Sequence, residues 1–237
     1  MNILKNDIFL VSYPKSGNTW LRFILANLLK TDSHDEINFH NAINFIPEVD
    51  VHNEQVNSIS DDRIFKSHKL FTPIYPKVVY IVRDARDVYV SYYHYLKKEL
   101  DDSLTFSQFL RKKDLYPSRW CEHVSSWLNQ PNIIYILKYE DLLNNTYSEI
   151  NKLMETLWPN RFSKEQIQKA INLSSFENMQ KSEKKFGRPF KSQKAKEKSS
   201  IFVRKGIIGD WKNFFTKEDE IFINKEEGNI LKHLNYI

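Results

Sequence analysis

The sequence predicts an α/β fold, a single domain with a central parallel β-sheet flanked by helices. Three observations lead there. Short, β-branched apolar runs alternate with longer segments of helical period. The runs are apolar almost throughout, the pattern of parallel strands covered on both faces. The 237 residues, 41% apolar and 27% charged, suit one large domain spanning 1–237.

Taken in order, Asp7 to Ser12 (DIFLVS) reads as a buried strand and Trp20 to Lys30 as an apolar helix. Arg63 to Ser67 is a short strand, and Lys77 to Val82 (KVVYIV) is the strongest β-pattern in the chain. Ala85 to Lys98 and Pro117 to Asn129 follow the helical period. Asn132 to Lys138 (NIIYILK) reads as another fully buried strand. Helical patterns then dominate, at Thr146 to Leu157, Ser163 to Ile171 and Thr216 to the C-terminus.

Composition narrows the function. A formal charge of +5 and 14% aromatic residues exclude disordered, collagen-like and acidic-tail classes. The single cysteine, Cys121, closes no internal disulfide and supplies no cysteine-type zinc site, which fits a reducing compartment. No run approaches the ~18 apolar residues of a membrane span. The first residues reach a Pro-Lys-Ser-Gly turn without a cleavage site, so no signal peptide and a cytoplasmic location are expected. Only five glycines occur, and Gly17, Gly206 and Gly209 fall in two short basic segments. A chain that otherwise avoids glycine needs it there for backbone geometry or close approach to a ligand.

Lys181 to Lys205 carries ten basic and two acidic residues, a net +8, so the rest of the chain sums to −3. With few large apolar residues it reads as a solvated loop, either a solubilising one or a mobile basic lid for a polyanion.

Three segments point to that anion. Tyr13-Pro14-Lys15-Ser16-Gly17-Asn18-Thr19-Trp20 joins a buried strand to an apolar helix, where unpaired N–H groups and the helix dipole favour a negative charge. Lys15 adds a cation, and Ser16, Asn18 and Thr19 add short polar groups. An ordinary strand–helix turn capped by Ser16 or Asn18 would use the same residues. A Walker A loop is a poor match, because this lysine precedes the glycine. In Arg83-Asp84-Ala85-Arg86-Asp87-Val88-Tyr89-Val90-Ser91, Arg83 closes a strand on the side where open α/β sheets bind ligands. Asp84 and Asp87 suit the cap and first turn of the next helix, and Ser91 lies about two turns beyond Arg83. A capped surface arginine is the plainer reading. Arg204-Lys205-Gly206-Ile207-Ile208-Gly209-Asp210-Trp211-Lys212 adds two adjacent cations and a glycine suited to a phosphate.

Together these segments resemble the sulfotransferase family, especially its soluble, cytosolic-type members. YPKSGNTW is similar to that family's 5′-phosphosulfate loop, RDARDVYVSYYHY to its 3′-phosphate segment, and RKGIIGDWK to its C-terminal RKGxxGDWK signature. The resemblance runs from Phe9 to about Thr216. It implies a P-loop, nucleotide-kinase-like fold and the donor 3′-phosphoadenosine 5′-phosphosulfate (PAPS), with 3′,5′-adenosine bisphosphate (PAP) as product. By the same resemblance Lys15, Ser16, Gly17, Asn18, Thr19 and Trp20 hold the 5′-phosphosulfate, with Trp20 also against the adenine. Arg83 and Ser91 take the 3′-phosphate, helped by Arg204, Lys205 and Gly206. Tyr139 in KYEDL, and Ser174, Phe176 and Met179 in SSFENM, match adenine-site positions.

Ile64-Phe65-Lys66-Ser67-His68 resembles the family's K-[ST]-H element. An acceptor hydroxyl must lose its proton as it attacks sulfur, and a neutral imidazole suits that task. Lys15 and Lys66 suit the charge that then builds on the bridging oxygen. That position sets His68 apart from the other six histidines. No metal is implied. The acceptor is expected to be a small molecule or glycan hydroxyl (or amine), with Phe39, Phe45, Phe71, Tyr75 and Tyr93 as candidate lining or plain core. Lys217-Glu218 replaces two valines of the family's dimer signature, so a monomer or weak homodimer is expected, without nucleic acid. Two rivals from other classes stand beside this reading. A P-loop-type kinase lacks its Walker lysine and a magnesium partner, and a nucleic-acid-binding module using the basic segment would bind in a salt-sensitive way without nucleotide competition.

Overall fold

The computed structural model describes residues 2–30, 35–58, 62–97, 103–189 and 202–237. Four parallel strands form the sheet in the order β2-β1-β3-β4: β1 Ile8–Ser12, β2 Ile64–Ser67, β3 Lys77–Val82 and β4 Ile133–Lys138. All four lie within a residue of the expected bounds. Alternate side chains enter two cores. Phe9, Val11, Phe65, Val78, Tyr80 and Val82 point into one, and Ile8, Leu10, Ile64, Val79, Ile81 and Leu137 into the other.

The helices that build the site are α1 Asn18–Leu29, after β1, and α4 Ala85–Leu96, after β3. Between them lie two short helices, α2 Ala42–Phe45 and α3 Asn53–Ser58. The expected helix at 117–129 is shorter, as α6 Trp120–Trp127, and is preceded by α5 Phe106–Leu110. After β4 come α7 Tyr139–Asn144, α8 Thr146–Leu157, α9 Lys164–Leu173, α10 Phe176–Phe186 and the last helix, α11 Lys217–His233. A 3₁₀ turn, Asp210–Asn213, precedes α11.

Two expectations need correction. Strand β4 is not fully buried: it is an edge strand, and Ile134 and Ile136 are 37% and 44% exposed. Lys181–Phe186 is the end of α10 rather than loop, because Met179 and Ser182 bury one side of that helix. Residues 190–201, the middle of the expected lid, lie outside the described residues. The dimer-signature departure also has a local explanation. Lys217, Glu218 and Asp219 form the first turn of α11, where Thr216 and Asp219 make a capping box, and acidic residues suit that end of a helix.

Candidate active site

From β1 the chain crosses to β2 on one side and then returns to β3 on the other. That reversal leaves a crevice beyond the C-terminal ends of β1 and β3, the switch point where open α/β sheets take ligands. The loop after β1 and the junction between β3 and α4 meet there, and Arg83 Nη1 donates to the Lys15 carbonyl at 3.3 Å. The cavity they enclose measures about 450 Å³.

The β1–α1 loop needs unusual backbone. Lys15 and Gly17 have φ of +69° and +99°, and a Cβ on Gly17 would stand 2.6 Å from Tyr139 Cδ2. Glycine there lets Tyr139, at the start of α7, close against the loop. Asn18 spends its amide on the Leu10 carbonyl (3.1 Å) and Ser12 Oγ (3.2 Å), while its Oδ1 and the Ser16 hydroxyl are buried without a partner. Arg83 is 8% exposed; its Nη2 reaches the Ile207 carbonyl at 3.0 Å, its guanidinium lies 4.3 Å from the Tyr139 ring centre, and its Nε has no partner. Buried polar atoms left unpaired cost stability, and a bound anion with hydrogen-bonding groups would satisfy donors of this kind. Lys15 Nζ sits 3.6 Å from the Phe202 ring centre and 4.5 Å from that of Tyr95. Burial, then the nearby Arg188, Arg83 and Lys66 charges, push its pKa well below the ordinary lysine value.

Across the cavity, Arg204 and Lys205 share one carboxylate, Asp210, at 2.7 and 2.9 Å. Burial opposes ionisation of that carboxyl, but bonds from Lys205, Arg204 and Asn213 outweigh it and hold its pKa at about 2. Gly206 has φ +64°, and a Cβ there would press on the Phe176 ring at 2.9 Å. Trp20 donates its indole N–H to the Ser174 carbonyl at 3.0 Å, and Asn27 donates to Ser174 Oγ at 3.1 Å.

At the end of β2, His68 Nδ1 lies 2.6 Å from the Ser12 carbonyl oxygen. That oxygen can only accept, so Nδ1 carries the hydrogen and Nε2 is the basic nitrogen. Burial, reinforced by the Lys66 charge, lowers its pKa to about 3. Lys66 Nζ donates to Glu48 Oε2 at 2.7 Å, and the backbone segment at Pro47–Val49 bonds alongside β2.

Of the residues singled out in the sequence, Lys15, Gly17, Asn18, Thr19, Trp20, Lys66, His68, Arg83, Ser91, Tyr139, Phe176, Met179, Arg204, Lys205 and Gly206 all line this cavity. Ser16 and Ser174 do not; Ser16 is buried in the loop, and Ser174 supports Trp20 and Asn27 from behind. None of Phe39, Phe45, Phe71, Tyr75 and Tyr93 lines it either. Tyr75, for example, is core, stacked on Phe9 with ring centres 3.7 Å apart. The lining the sequence reading missed includes Glu48, Val51, Tyr92, Tyr95, Tyr116 and Phe202. Tyr95 was accessible to helical spacing, four residues after Ser91. Glu48 sits on an irregular stretch that carries no motif.

Among the described residues no group of three or more His, Cys, Asp or Glu side chains is placed to hold a metal ion, and no helix is long and apolar enough to cross a membrane.

Fold and site define an α/β protein with a cationic crevice at the switch point of a parallel sheet. Comparison with known proteins gives its kind. The sulfotransferase domain profile matches residues 5–226. Bovine sulfotransferase 1E1 is 30% identical, covering 96% of this chain and 85% of its own length. Mouse sulfotransferase 1 family member D1 is 32% identical with the same coverage. The solved structure of mouse sulfotransferase SULT7A1 complexed with PAP aligns with a TM-score of 0.74 at 25% identity, over 98% of this chain and 90% of that one. The chain belongs to the sulfotransferase family.

Proposed function

We propose that the protein transfers a sulfonate group from PAPS to a hydroxyl, or an amine, of a small-molecule or glycan acceptor. One observation carries this: the three segments that resemble the family's donor motifs, far apart in sequence, line a single cavity with the His68 imidazole. The residues fit the donor. Lys15 and the first turn of α1 would hold the 5′-phosphosulfate, Arg83, Ser91, Arg204, Lys205 and Gly206 the 3′-phosphate, and Trp20, Tyr139, Phe176 and Met179 the adenine. The family resemblance supports PAPS as donor, and a mouse relative has been solved with PAP. When bound, PAPS supplies an activated sulfonate on a phosphate leaving group.

The chain's own residues do the rest. His68 Nε2, kept basic because Nδ1–H is committed to Ser12, takes the proton of the acceptor hydroxyl. Lys15 and Lys66 stabilise the negative charge that gathers on the departing phosphate side. An anion beside Lys15 would offset the Arg188, Arg83 and Lys66 charges that, after burial, depress its pKa in the free protein, so binding and charging of the lysine reinforce each other. The net charge of +8 on 181–205, a segment that begins in the last turns of α10, supports a polyanion as its neighbour. The protein acts as a monomer or weak homodimer, without metal, in the cytoplasm.

The test is transfer of label from sulfur-labelled PAPS to a panel of phenols, alcohols, glycans and amines. Labelled product that requires the protein and is inhibited by PAP supports the proposal. Binding of nucleic acid undisturbed by PAP, with no transfer to any acceptor class, would replace it.

A further inference from the structure

Carboxylates hold both ends of the stretch that carries Arg204, Lys205 and Gly206. At the near end, Glu183 of α10 accepts from the Phe202 and Val203 backbone N–H groups at 2.7 and 3.1 Å. At the far end, Asp87 of α4 accepts from the Gly209 N–H at 2.7 Å and the Trp211 N–H at 3.0 Å, one to each oxygen. Asp87 is 2% exposed and does not line the cavity. The residue between its two partners is Asp210, the carboxylate that grips both Arg204 and Lys205. A line of contacts therefore runs from α4 through the turn at 209–211 to the two cations. The same helix presents Ser91 to the cavity four residues further on, one turn along the same face.

We propose that Asp87 is a positioning residue for recognition of the donor's 3′-phosphate. By fixing the turn at 209–211 it sets Asp210, and through Asp210 the cations Arg204 and Lys205. This rests on the donor assignment made above. A buried carboxylate is a costly way merely to close a turn, since burial disfavours its charged form. Here it satisfies two N–H groups that a 3₁₀ turn leaves without internal partners.

A 3′-phosphate is present in PAP and absent from AMP, so the ratio of their affinities isolates this relay from general effects on the fold. Titration calorimetry on the full chain compares the two nucleotides in wild type and in Asp87→Asn. An amide keeps the shape but offers an NH₂ group where one backbone N–H needs an acceptor. PAP should then bind about tenfold more weakly, with AMP changed less than about threefold. Gly209→Ala is a second variant and serves if Asp87→Asn does not fold. Gly209 has φ +79° with open space where a Cβ would stand, so the change disturbs only the turn. It should produce the same split. In an Arg204→Ala, Lys205→Ala background, Asp87→Asn should have little further effect on PAP. Equal weakening of both nucleotides, or of neither, overturns the proposal. A wild type that binds PAP no better than AMP instead removes the donor assignment on which it rests.

Discussion

The role proposed for His68 rests on two neighbours that motif reading alone does not supply. The Ser12 carbonyl selects the tautomer, and burial beside Lys66 holds the ring neutral, with a pKa of about 3. In the free protein the base is therefore already deprotonated throughout the neutral range, and no acid limb from His68 should appear in kcat/KM between about pH 5.5 and 8. In the proposed role, a donor's negative charge would raise the imidazole pKa and so strengthen the base when it is needed. His68→Ala should lower turnover by roughly 10² to 10⁴ while PAP affinity, measured by calorimetry, stays near wild type. Unchanged turnover would take His68 out of the reaction. Glu48 is one of the lining groups that sequence reading did not find. It is an acceptor for Lys66 Nζ, and that pairing depends on the stretch at 47–49 lying beside β2, a tertiary contact with no local signature.

The elements that position the site were legible where their patterns are local. Strands β1 and β3 are almost wholly apolar runs and β2 is a short one that opens on Ile64-Phe65, and Lys15, His68 and Arg83 follow their ends. Helix α4 was marked by Asp84, whose side chain accepts from the Arg86 N–H at 2.9 Å. Burial of β4 was misread because an isoleucine-rich edge strand looks like a central one until its neighbours are known. The charge of Lys181, Lys184 and Lys185 hid the end of α10, since a narrow buried stripe suffices to dock a polar helix. Docking of α11 was equally invisible. Its Glu227, fully buried, accepts from Tyr89 Oη and Arg119 Nη2, both at 2.6 Å, and from the Cys121 N–H at 2.7 Å. One carboxylate thereby joins α11 to α4 and α6. Glu227→Ala should destabilise the fold by about 3–5 kcal/mol in urea unfolding, because it strands the Arg119 charge in the interior. A loss below about 1 kcal/mol would mean that apolar packing alone docks this helix.

At the scale of the molecule, stability and ligand binding respond to charge in opposite ways. His123 is wholly inside, and burial lowers its pKa to about 4. An unfolded histidine titrates near 6.5, so below that pH the unfolded chain binds a proton that the folded one refuses. The folded state therefore loses stability as pH falls from about 6.5 towards 4, by about 2 kcal/mol between pH 7 and pH 5 from this group. Urea midpoints at the two values should show the drop, and His123→Gln should shrink it; an equal drop in both proteins would assign it elsewhere. The crevice proposed for the donor behaves the other way, gathering Lys15, Lys66, Arg83, Arg204 and Lys205 around one cavity with Glu48 and Asp210 paired to them, an excess of positive charge that favours a polyanion. Its most direct test is calorimetric titration of the wild-type protein with PAP and with AMP under identical salt. Charge-assisted bonds contribute about 1.5–3 kcal/mol each, so a 3′-phosphate held by even two cations should make PAP bind at least about a hundredfold more tightly. Equal affinity for the two nucleotides would contradict the assignment of this crevice to the sulfonate donor.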